Sequence, residues 1–481
     1  MNTQALILLI VFIPVLGSLI LPLLGRLSPR LRNICSLIFV SASFVFSLML
    51  IPHINAGEPA TIRFNFLFGQ ELFHADKLAI FMALVSTLVG AIIVLYSFGY
   101  INPYKNQNEY YFMVVLFLGS MMGIVFSSNL IILFLFWEIT AIACWRLIGF
   151  FRTPNDVVRA DKAFLVTVFG ALVMLLGFFV VYQQTGTFDL LAIKQHLLNG
   201  HISNLAIFLI LFGILSKSAT LPLHTWLPDA GVAPSPVTAL LHAAVLVKIG
   251  VYVFARLFVM TIPIEVMWHE IVPWIAGISA IVAAGAALID TDMKRIIAYS
   301  TISQIGYIFL GLAIGNPIGI AGGLLYILMH GLAKGGLFLC AGIVEQKTHV
   351  KDITKLGGLI TVMPITAISF LFCALSVMGI PPFGGFFSKY MVITSAANAK
   401  DLFIALTFVV GAFLTIIYLF RLFNSIFMGD IKVKSEKEGT PGMVFSVAAL
   451  AVLSLLAGVF INYSSDFVQS IVNEVSKVVL R

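Results

Sequence analysis

Charged residues are scarce in this 481-residue chain: Asp, Glu, Lys and Arg make up 10% of it, against about 25% in an ordinary soluble domain. Hydrophobic residues reach 60%, and the mean hydropathy is +1.07. This composition excludes a soluble globular enzyme. The apolar runs are unbroken, which also excludes a membrane β-barrel, because barrel strands alternate apolar and polar positions. The sequence therefore predicts an all-α polytopic membrane protein.

Cysteine is equally rare. Cys35, Cys144, Cys340 and Cys373 fall inside apolar stretches at unrelated spacings, and there is no CxxC pair. Zinc sites and disulfide frameworks have characteristic cysteine spacings, so we interpret the four as small packing residues. The sequence also lacks a bis-histidine motif, a nucleotide-binding loop and a catalytic triad. We therefore expect no cofactor, no metal site and no active site of its own in this chain.

Apolar stretches of about 20 residues recur along the whole chain, and each is long enough to cross a hydrocarbon core of roughly 30 Å. We predict fourteen membrane-spanning helices from these stretches. Their predicted bounds are 4–24, 31–51, 77–100, 109–127, 129–150, 161–182, 204–222, 236–259, 268–289, 295–314, 318–343, 359–380 continuing through 384–398, 402–428 and 441–462. The longest loops, 52–76 and 183–203, are too short for an extramembrane domain. The first stretch lacks a cleavage site, so we interpret it as a retained helix.

The net charge of +7 reflects membrane topology. Fifteen of the 28 lysine and arginine residues lie in odd-numbered loops, and six lie in the even-numbered loops and the termini. The positive-inside rule places the odd loops in the cytoplasm and both termini on the opposite side. Loop 432–440 (KVKSEKEGT) is interpreted as solvated and mixed in charge. No nucleic-acid partner is expected.

Two of the predicted helices are interrupted by proline. In helix 7 Lys217 precedes Pro222, and in helix 12 the segment 379–385 (GIPPFGG) comes just before Lys389. Proline leaves backbone carbonyls unpaired, which a bilayer tolerates only where protein or water satisfies them. Matching breaks in two halves are typical of inverted-repeat transporters. The alternative is that the prolines merely kink two unrelated helices.

The offset between the two breaks predicts the domain organisation. Segment 1–108 holds helices 1–3, 109–259 the first repeat (helices 4–8), 260–428 the second repeat (helices 9–13), and 429–481 helix 14 and a tail. The similar segments YVFARLF (252–258) and YLFRLF (418–423) support this pairing. A five-helix repeat crosses the membrane an odd number of times, so the two repeats must be inverted.

Several charged side chains lie inside the predicted helices. A charge at bilayer depth costs roughly 2.5–3.5 kcal/mol on insertion scales, and such residues mark ion pathways. A row of lysines on successive helices therefore predicts a path for protons. The residues are Glu138, Arg146, Lys217, Lys248, Lys334 and Lys389.

Glu138 and Lys217 are predicted to pair, because a buried carboxylate is either paired or neutral. Moving Glu138 away would leave a desolvated ammonium that releases its proton more easily. The alternative is a static structural ion pair. Arg146 keeps its charge at any pH and cannot relay protons in the same way. We predict that it either modulates Glu138 or snorkels to the cytoplasmic surface.

The second half of the row contains both lysine and histidine. Lys248 has no carboxylate near it in sequence, which favours a proton-exchanging lysine. His330 and Lys334 are spaced i, i+4 and share a helix face, where small neighbours allow close helix approach. His224 and His242 are candidate relays because imidazole titrates near pH 6.5, or else packing residues. His224 lies seven residues after Lys217, on the same face if the helix continues.

Six ordered motifs resemble a known family. They are LFWEI around Glu138, HTWLPDA (224–230), HAAVLVKIGVYVFAR around Lys248, DMKRIIAYSTISQIGY (292–307), MHGLAKGGLFLCAG (329–342) and GIPPFGGFFSK (379–389). They resemble the antiporter-like membrane subunits of respiratory complex I (NADH:quinone oxidoreductase), membrane-bound hydrogenases and Mrp-type cation/proton antiporters, over about residues 70–460.

The resemblance implies fourteen helices with two inverted five-helix repeats. It implies that Glu138 and Lys217 match the coupling ion pair, Lys248 the central lysine, His330 a bridging residue and Lys389 the terminal lysine. One departure is Tyr326, one turn before His330, where the largest complex I subunit usually has a second histidine.

The sequence thus predicts a proton- or sodium-translocating subunit of a multisubunit complex in a prokaryotic inner membrane, coupling redox chemistry in partner subunits to ion pumping. The alternative is an Mrp-type Na⁺/H⁺ antiporter subunit without redox partners. Expected partners are other membrane subunits, including further antiporter-like subunits, the lipid bilayer, protons and Na⁺. A haem-binding electron carrier and a stand-alone solute transporter are the remaining alternatives.

Overall fold

The computed structural model describes residues 2–58, 60–63, 71–197, 200–433 and 437–479. It is mostly helical, and within these residues twelve segments are long and apolar enough to cross a membrane. The prediction of a polytopic helical membrane protein is confirmed. In chain order the helices are α1 (Thr3–Leu27), α2 (Pro29–Asn55), α3 (Lys77–Tyr100), α4 (Gln107–Phe126), α5 (Leu130–Ile148), α6 (Pro154–Thr185), α7 (Leu190–His196), α8 (Asn204–Lys217), α9 (Trp226–Asp229), α10 (Ser235–Ala239), α11 (Leu246–Phe254), α12 (Val266–Ile289), α13 (Met293–Ile314), α14 (Pro317–Thr348), α15 (Pro364–Met378), α16 (Gly384–Asn398), α17 (Leu402–Phe427), α18 (Pro441–Val459) and α19 (Ile461–Val479).

Some helices extend beyond their predicted bounds because local caps define their ends. Helix α6 has 32 residues instead of the predicted 161–182. It begins at Pro154, where proline suits the first helical position, and the Thr153 hydroxyl accepts a hydrogen bond from the Asp156 N–H at 3.2 Å. It ends before Gly186, which has a φ of 72°. Such a left-handed position is a common helix stop.

Both predicted interruptions are present, at slightly different residues. Helix α8 ends at Lys217 and not at residue 222, and turns lead from there to α9. Helix α15 ends at Met378, because Gly379 has a φ of 82° and prolines follow it. Helix α16 then begins at Gly384. The interrupted helices α8 and α15 are the two shorter apolar helices of the described chain, with 14 and 15 residues.

The segment Ser235–Val259, which contains Lys248, is an irregular helix. Residues Leu240–Ala244 and Ala255–Val259 form π-helical turns on either side of α11. Val245, between the first π turn and α11, has φ −130° and ψ −73°. Isolated π turns inside α-helices often mark functional positions. The sequence predicts a regular helix here and gives no sign of these turns.

The two longest predicted loops contain short elements. Strands β1 (Thr61–Arg63) and β2 (Glu71–His74) pair antiparallel, with Thr61 opposite His74, and α7 lies within predicted loop 183–203. Residues 59, 64–70 and 198–199 of these loops, and 434–436 of the charged loop 432–440, lie outside the described residues.

Contacts divide the chain into two compact units. Unit 1 comprises Met1–Ala91, Tyr104–Ser218 and Val245–Glu265, and unit 2 comprises Ile92–Pro103, Ala219–Ala244 and Val266–Arg481. Unit 1 therefore contains Glu138, Lys217 and Lys248. Unit 2 contains the candidate histidines together with Lys334 and Lys389. The predicted division into four segments stays a prediction.

The predicted C-terminal tail forms an additional helix, α19. Val468, Ile471, Val472 and Val475 recur at helical spacing and are buried. Within unit 2 the helix packs on α14 and α18. Amphipathic spacing thus explains a helix that is too polar to be predicted as a membrane span.

Candidate functional site

Lys217 is the last residue of α8 and is completely buried in unit 1. Its Nζ donates a hydrogen bond to the backbone carbonyl of Trp137 at 3.3 Å. The same nitrogen lies 5.3 Å from the centroid of the Trp137 ring. The ammonium is therefore held by a carbonyl and a ring face of α5.

The predicted ion pair between Glu138 and Lys217 is not formed. Within the described residues no carboxylate oxygen lies within 4.0 Å of Lys217 Nζ. Glu138 Oε1 is buried and has no hydrogen-bond partner among the same residues. Glu138 follows Trp137 on α5, so the charges of Glu138 and Lys217 are near enough to interact although the carboxylate does not contact the ammonium. The static ion pair weighed as an alternative is absent as well.

Lys248 is fully buried on α11, three residues after the irregular Val245. Its backbone N–H donates to the Val245 carbonyl at 3.1 Å. The preceding π turn therefore changes the helical register immediately before the lysine. The prediction that Lys248 exchanges protons stays a prediction.

Arg146 bonds to a carboxylate that the sequence analysis did not single out. Its Nε donates to Glu109 Oε1 at 2.9 Å, and its Nη2 contacts the same oxygen. Arg152 contacts the other oxygen of Glu109. These side chains lie at the protein surface, and Arg146 is about one third exposed. The arrangement fits the predicted snorkelling arginine, and Glu109 is its partner in place of Glu138.

We expect Arg146→Leu to change ion translocation by no more than about twofold and the free energy of unfolding by about 1 kcal/mol or less, since ion pairs that solvent reaches contribute little. Arg152 would still neutralise Glu109. Translocation by the reconstituted complex and its thermal unfolding would be compared with the wild type. A tenfold loss of translocation would contradict this expectation and place Arg146 in the ion path.

The candidate histidines His224 and His242 differ in their surroundings within unit 2. His242 lies in the π turn, is fully buried and stacks on Phe338 with ring centroids 4.3 Å apart. Neither ring nitrogen has a hydrogen-bond partner among the described residues. His224 is partly exposed in a turn. The condition for His224 to share a helix face with Lys217 is not met, because α8 ends at Lys217.

His330 and Lys334 lie one turn apart on α14, as predicted, and both are fully buried in unit 2. Lys334 Nζ donates to the Ile297 carbonyl of α13 at 3.1 Å. Close helix approach beside them is also present: a Cβ added at Gly336 would lie 2.3 Å from Cys373 Sγ of α15. Glycine at position 336 therefore allows α14 and α15 to pack in contact.

Lys389 lies in the second turn of α16 and reaches back across the interruption. Its Nζ donates to the Val377 carbonyl at 2.7 Å, in the last turn of α15. The nitrogen also lies 4.6 Å from the Tyr307 ring centroid and 5.7 Å from that of Tyr326. The helix break thus supplies a carbonyl for the buried ammonium, and rings on α13 and α14 surround it.

Lys294, near the start of α13, is a buried lysine that the sequence does not single out. The residue is 1% exposed. Its Nζ lies 2.7 Å from Glu345 Oε2 of α14 and donates to the Ala233 carbonyl at 2.9 Å. Lys351 contacts the other Glu345 oxygen at 3.1 Å. A lone glutamate near the end of the otherwise apolar α14 is the signal that could have identified this pair.

A second missed pair lies in unit 1, at the start of α3. Arg256 makes two contacts with the Asp76 carboxylate and donates from Nε to the Tyr252 hydroxyl at 3.0 Å. Asp76 also accepts from the Ala79 N–H at 2.8 Å, as a helix cap. Burial raises the pKa of Asp76, but the charge and hydrogen bonds of Arg256 outweigh it and hold that pKa below its usual range.

Metal-binding potential is low in the described part of the chain. No group of three or more His, Cys, Asp or Glu side chains there could hold a metal ion. Three buried lysines, Lys217, Lys334 and Lys389, instead lie on backbone carbonyls, and in unit 2 the Tyr326 hydroxyl donates to Gln304. Such an arrangement can hold and exchange protons.

Two family profiles match this sequence. The one described as NADH:quinone oxidoreductase/Mrp antiporter, TM, matches residues 127–415. The one described as NADH-Ubiquinone oxidoreductase (complex I), chain 5 N-terminus, matches residues 70–111. Among curated relatives, the Na(+)/H(+) antiporter subunit A1 of Staphylococcus aureus is 33% identical over 488 residues, covering 94% of this chain. The chain spans only 60% of that relative's length.

Solved structures agree on the fold. The Mrp complex from Dietzia sp. DQ12-45-1b contains a chain with a TM-score of 0.91 and 20% identity, covering 99% of this chain and 98% of that one. The membrane-bound sulfane sulfur reductase (MBS), an archaeal respiratory membrane complex, gives a TM-score of 0.90 and 24% identity, with 99% of each chain covered. Together with the profile that matches more than half of the sequence, these similarities show that the chain is an integral membrane protein belonging to the NADH:quinone oxidoreductase/Mrp antiporter family of antiporter-like subunits.

Proposed function

We propose that this chain is an ion-translocating subunit of a multisubunit membrane complex and that it moves protons through Glu138, Lys217, Lys248, His330 and Lys389. The observation that carries the proposal is the placement of Lys217 and Lys389. Each is buried at an interruption of a helix, with its ammonium on a backbone carbonyl. Intramembrane lysines of this kind mark ion paths. His242 and Lys334 are additional proton relays beside this path, and Arg146 lies outside it.

The proposed membrane topology has fourteen crossings. The twelve long spans account for twelve of them, and α8 and α15, each completed by the chain beyond its break, account for the others. The two proposed repeats end in YVFARLF and YLFRLF, whose arginines are both bonded: Arg256 to Asp76, and Arg421 to the Asp290 carbonyl at 2.6 Å. The excess of basic residues in odd loops supports termini outside a prokaryotic inner membrane.

Two settings are open to such a subunit. In one, partner subunits with redox centres drive ion pumping. In the other, the complex exchanges Na⁺ for protons without electron transfer. The 33% identity to a protein named Na(+)/H(+) antiporter subunit A1 favours the second setting. We therefore propose Na⁺/H⁺ antiport as the activity of the complex, together with further membrane subunits as partners, and redox-driven pumping as the second candidate.

The proposal can be tested by ion flux in proteoliposomes that contain the intact complex. Wild type and Lys248→Ala would be compared under imposed proton and sodium gradients. We expect Lys248→Ala to lower proton movement by roughly 100-fold, the scale on which positioned proton carriers act. Sodium-driven proton movement without an electron donor is expected for the antiporter, whereas a strict requirement for a donor would support redox coupling.

The matched control is Lys105→Ala, the same substitution at an exposed lysine. It should leave proton movement unchanged. Wild-type proton movement in Lys248→Ala, in a fully assembled complex, would overturn the proposed path.

A further inference from the structure

The amine of Lys389 is held by aromatic faces and a helix end. Its Nζ lies near the rings of Tyr307 and Tyr326 and donates to the Val377 carbonyl. Val377 is in the last turn of α15, where the helix dipole favours a cation. Within the described part of the chain, no carboxylate oxygen lies within 4.0 Å of this nitrogen. The partners of the amine in this part of the chain are therefore two ring faces and a carbonyl.

Both tyrosine rings are fixed through their hydroxyls. Tyr307 donates to the Phe408 carbonyl of α17 at 2.7 Å. Tyr326 donates to Gln304 Oε1 of α13 at 2.5 Å, and Gln304 Nε2 lies 3.3 Å from the Tyr418 hydroxyl. Tyr307 and Tyr326 are at most 1% exposed. Because each ring is bonded from the end that carries its hydroxyl, the positions of the rings relative to Lys389 are set by α13, α14 and α17.

We propose that Tyr307 and Tyr326 are positioning residues for ion translocation, forming an aromatic cage that favours the charged amine of Lys389 and sets where it sits. This inference rests on the proposed function, since it assigns a role in proton exchange by Lys389. A desolvated cation over an aromatic ring gains enough to favour the charged form by roughly 2- to 30-fold.

The cage suits a group that must release its proton in every cycle. When the ammonium is deprotonated, the bonding electrons stay on nitrogen, the proton passes to water or to the next carrier, and the neutral amine loses its attraction to the rings. A carboxylate partner would hold the charge far more strongly and would itself be left buried and unpaired. Two rings therefore bind the charge and still allow its release.

Other groups near α16 also act on this charge. Lys334 of α14 is a second amine whose charged form would oppose the cage, and its Nζ donates a hydrogen bond to the Ile297 carbonyl. Helix α18, which packs on α16, contains no titratable side chain in its described range. The remaining titratable side chains in the apolar parts of the helices packed on α16 are Tyr299, Tyr307, Tyr326, His330, Cys340, Cys373 and Tyr418.

Ring fluorination tests the cage, because it weakens the negative face of a ring while almost preserving its shape. In the intact complex, Tyr307→Phe would be compared with phenylalanines carrying one, two and three ring fluorines at position 307. We expect proton translocation near pH 8 to fall stepwise, by roughly 3- to 30-fold over the series. The pH of half-maximal translocation should fall by about 0.5–1.5 units, since a weaker cage requires more acid to load the lysine.

The same fluorinated series at Phe427 is the matched control. Phe427 is fully buried and packs on the Phe370 ring, with centroids 5.4 Å apart, so fluorination there should leave translocation unchanged. If Tyr307→Phe prevents assembly, the series at position 326 makes the same test.

Lys389→Met separates the cage from the proposed function. Loss of translocation in Lys389→Met with a flat fluorination series would overturn the cage and leave the proposed function intact. Wild-type translocation in Lys389→Met would overturn the role of Lys389 itself. A graded series together with an inactive Lys389→Met supports both.

Discussion

Lys217→Met is expected to lower proton translocation by roughly 100-fold or more while the complex still assembles. Methionine matches the length of the lysine stem and fills the same space beside Trp137. The substitution breaks no contact ion pair, because the lysine bonds to a carbonyl and a ring face. It also removes the cost of burying an ammonium, and the nearby Glu138 carboxyl can stay neutral in the variant. The loss should therefore appear in transport and not in thermal unfolding.

Lys217→Arg separates proton exchange from charge. Arginine keeps the positive charge at any working pH and cannot release a proton. If Lys217 carries protons, both variants should be inactive in proteoliposome flux, with Lys105→Met and Lys105→Arg as exposed controls. Activity in Lys217→Arg alone would mean that the residue supplies a fixed charge. Activity in both variants would show that Lys217 is not needed for proton translocation.

The spans, the helix breaks and the buried charges were predictable because a bilayer imposes strong rules on composition. A helix in lipid must be apolar for about 20 residues, so Glu138, Lys217 and Lys389 are conspicuous in sequence. Proline and glycine near Lys217 and Lys389 predict the breaks for the same reason. These signals are local, and a single sequence contains them in full.

The partners of the charges were not predictable, because each depends on contacts between distant parts of the chain. Lys217 was predicted to pair with Glu138. Its ammonium donates instead to the backbone carbonyl of Trp137, which lies 80 residues away in sequence. Arg146 bonds to Glu109, 37 residues away. The residue type shows that a buried charge needs a partner. Whether that partner is a carboxylate, a backbone carbonyl or an aromatic ring depends on how the helices pack. For this reason the aromatic cage of Lys389 was missed as well.

Irregular backbone was missed for a related reason. The π turns around α11 contain apolar residues that are equally compatible with an α-helix. Their conformation is selected by the neighbours against which Ser235–Val259 packs. Residues 235–258 of this segment are buried, so their side chains are constrained by contacts that the sequence alone does not specify.

Arg256→Leu is expected to destabilise the protein by about 3–5 kcal/mol, because the mostly buried Asp76 carboxylate loses the cation that neutralises it. The pair is mostly buried, with side-chain exposures of 9% for Arg256 and 15% for Asp76. The unfolding temperature of the purified complex, measured by intrinsic fluorescence, would report the loss. Asp76→Asn is the matched partner variant, since asparagine is neutral and still caps a helix.

The pH dependence of this loss identifies its cause. Arg256 lowers the pKa of Asp76 in the folded wild type, so the pair stabilises the protein above the unfolded pKa of about 3.9 and is lost only in stronger acid. In Arg256→Leu the cation is gone and burial raises that pKa, so the variant gains stability as the pH falls. The cost of the substitution should therefore shrink from about pH 8 to about pH 5. In an Asp76→Asn background the cost should be smaller and independent of pH, because no carboxylate remains to be protonated. A cost that is equal in both backgrounds would mean that Arg256 stabilises the fold through Tyr252 and packing, and that the ion pair contributes little.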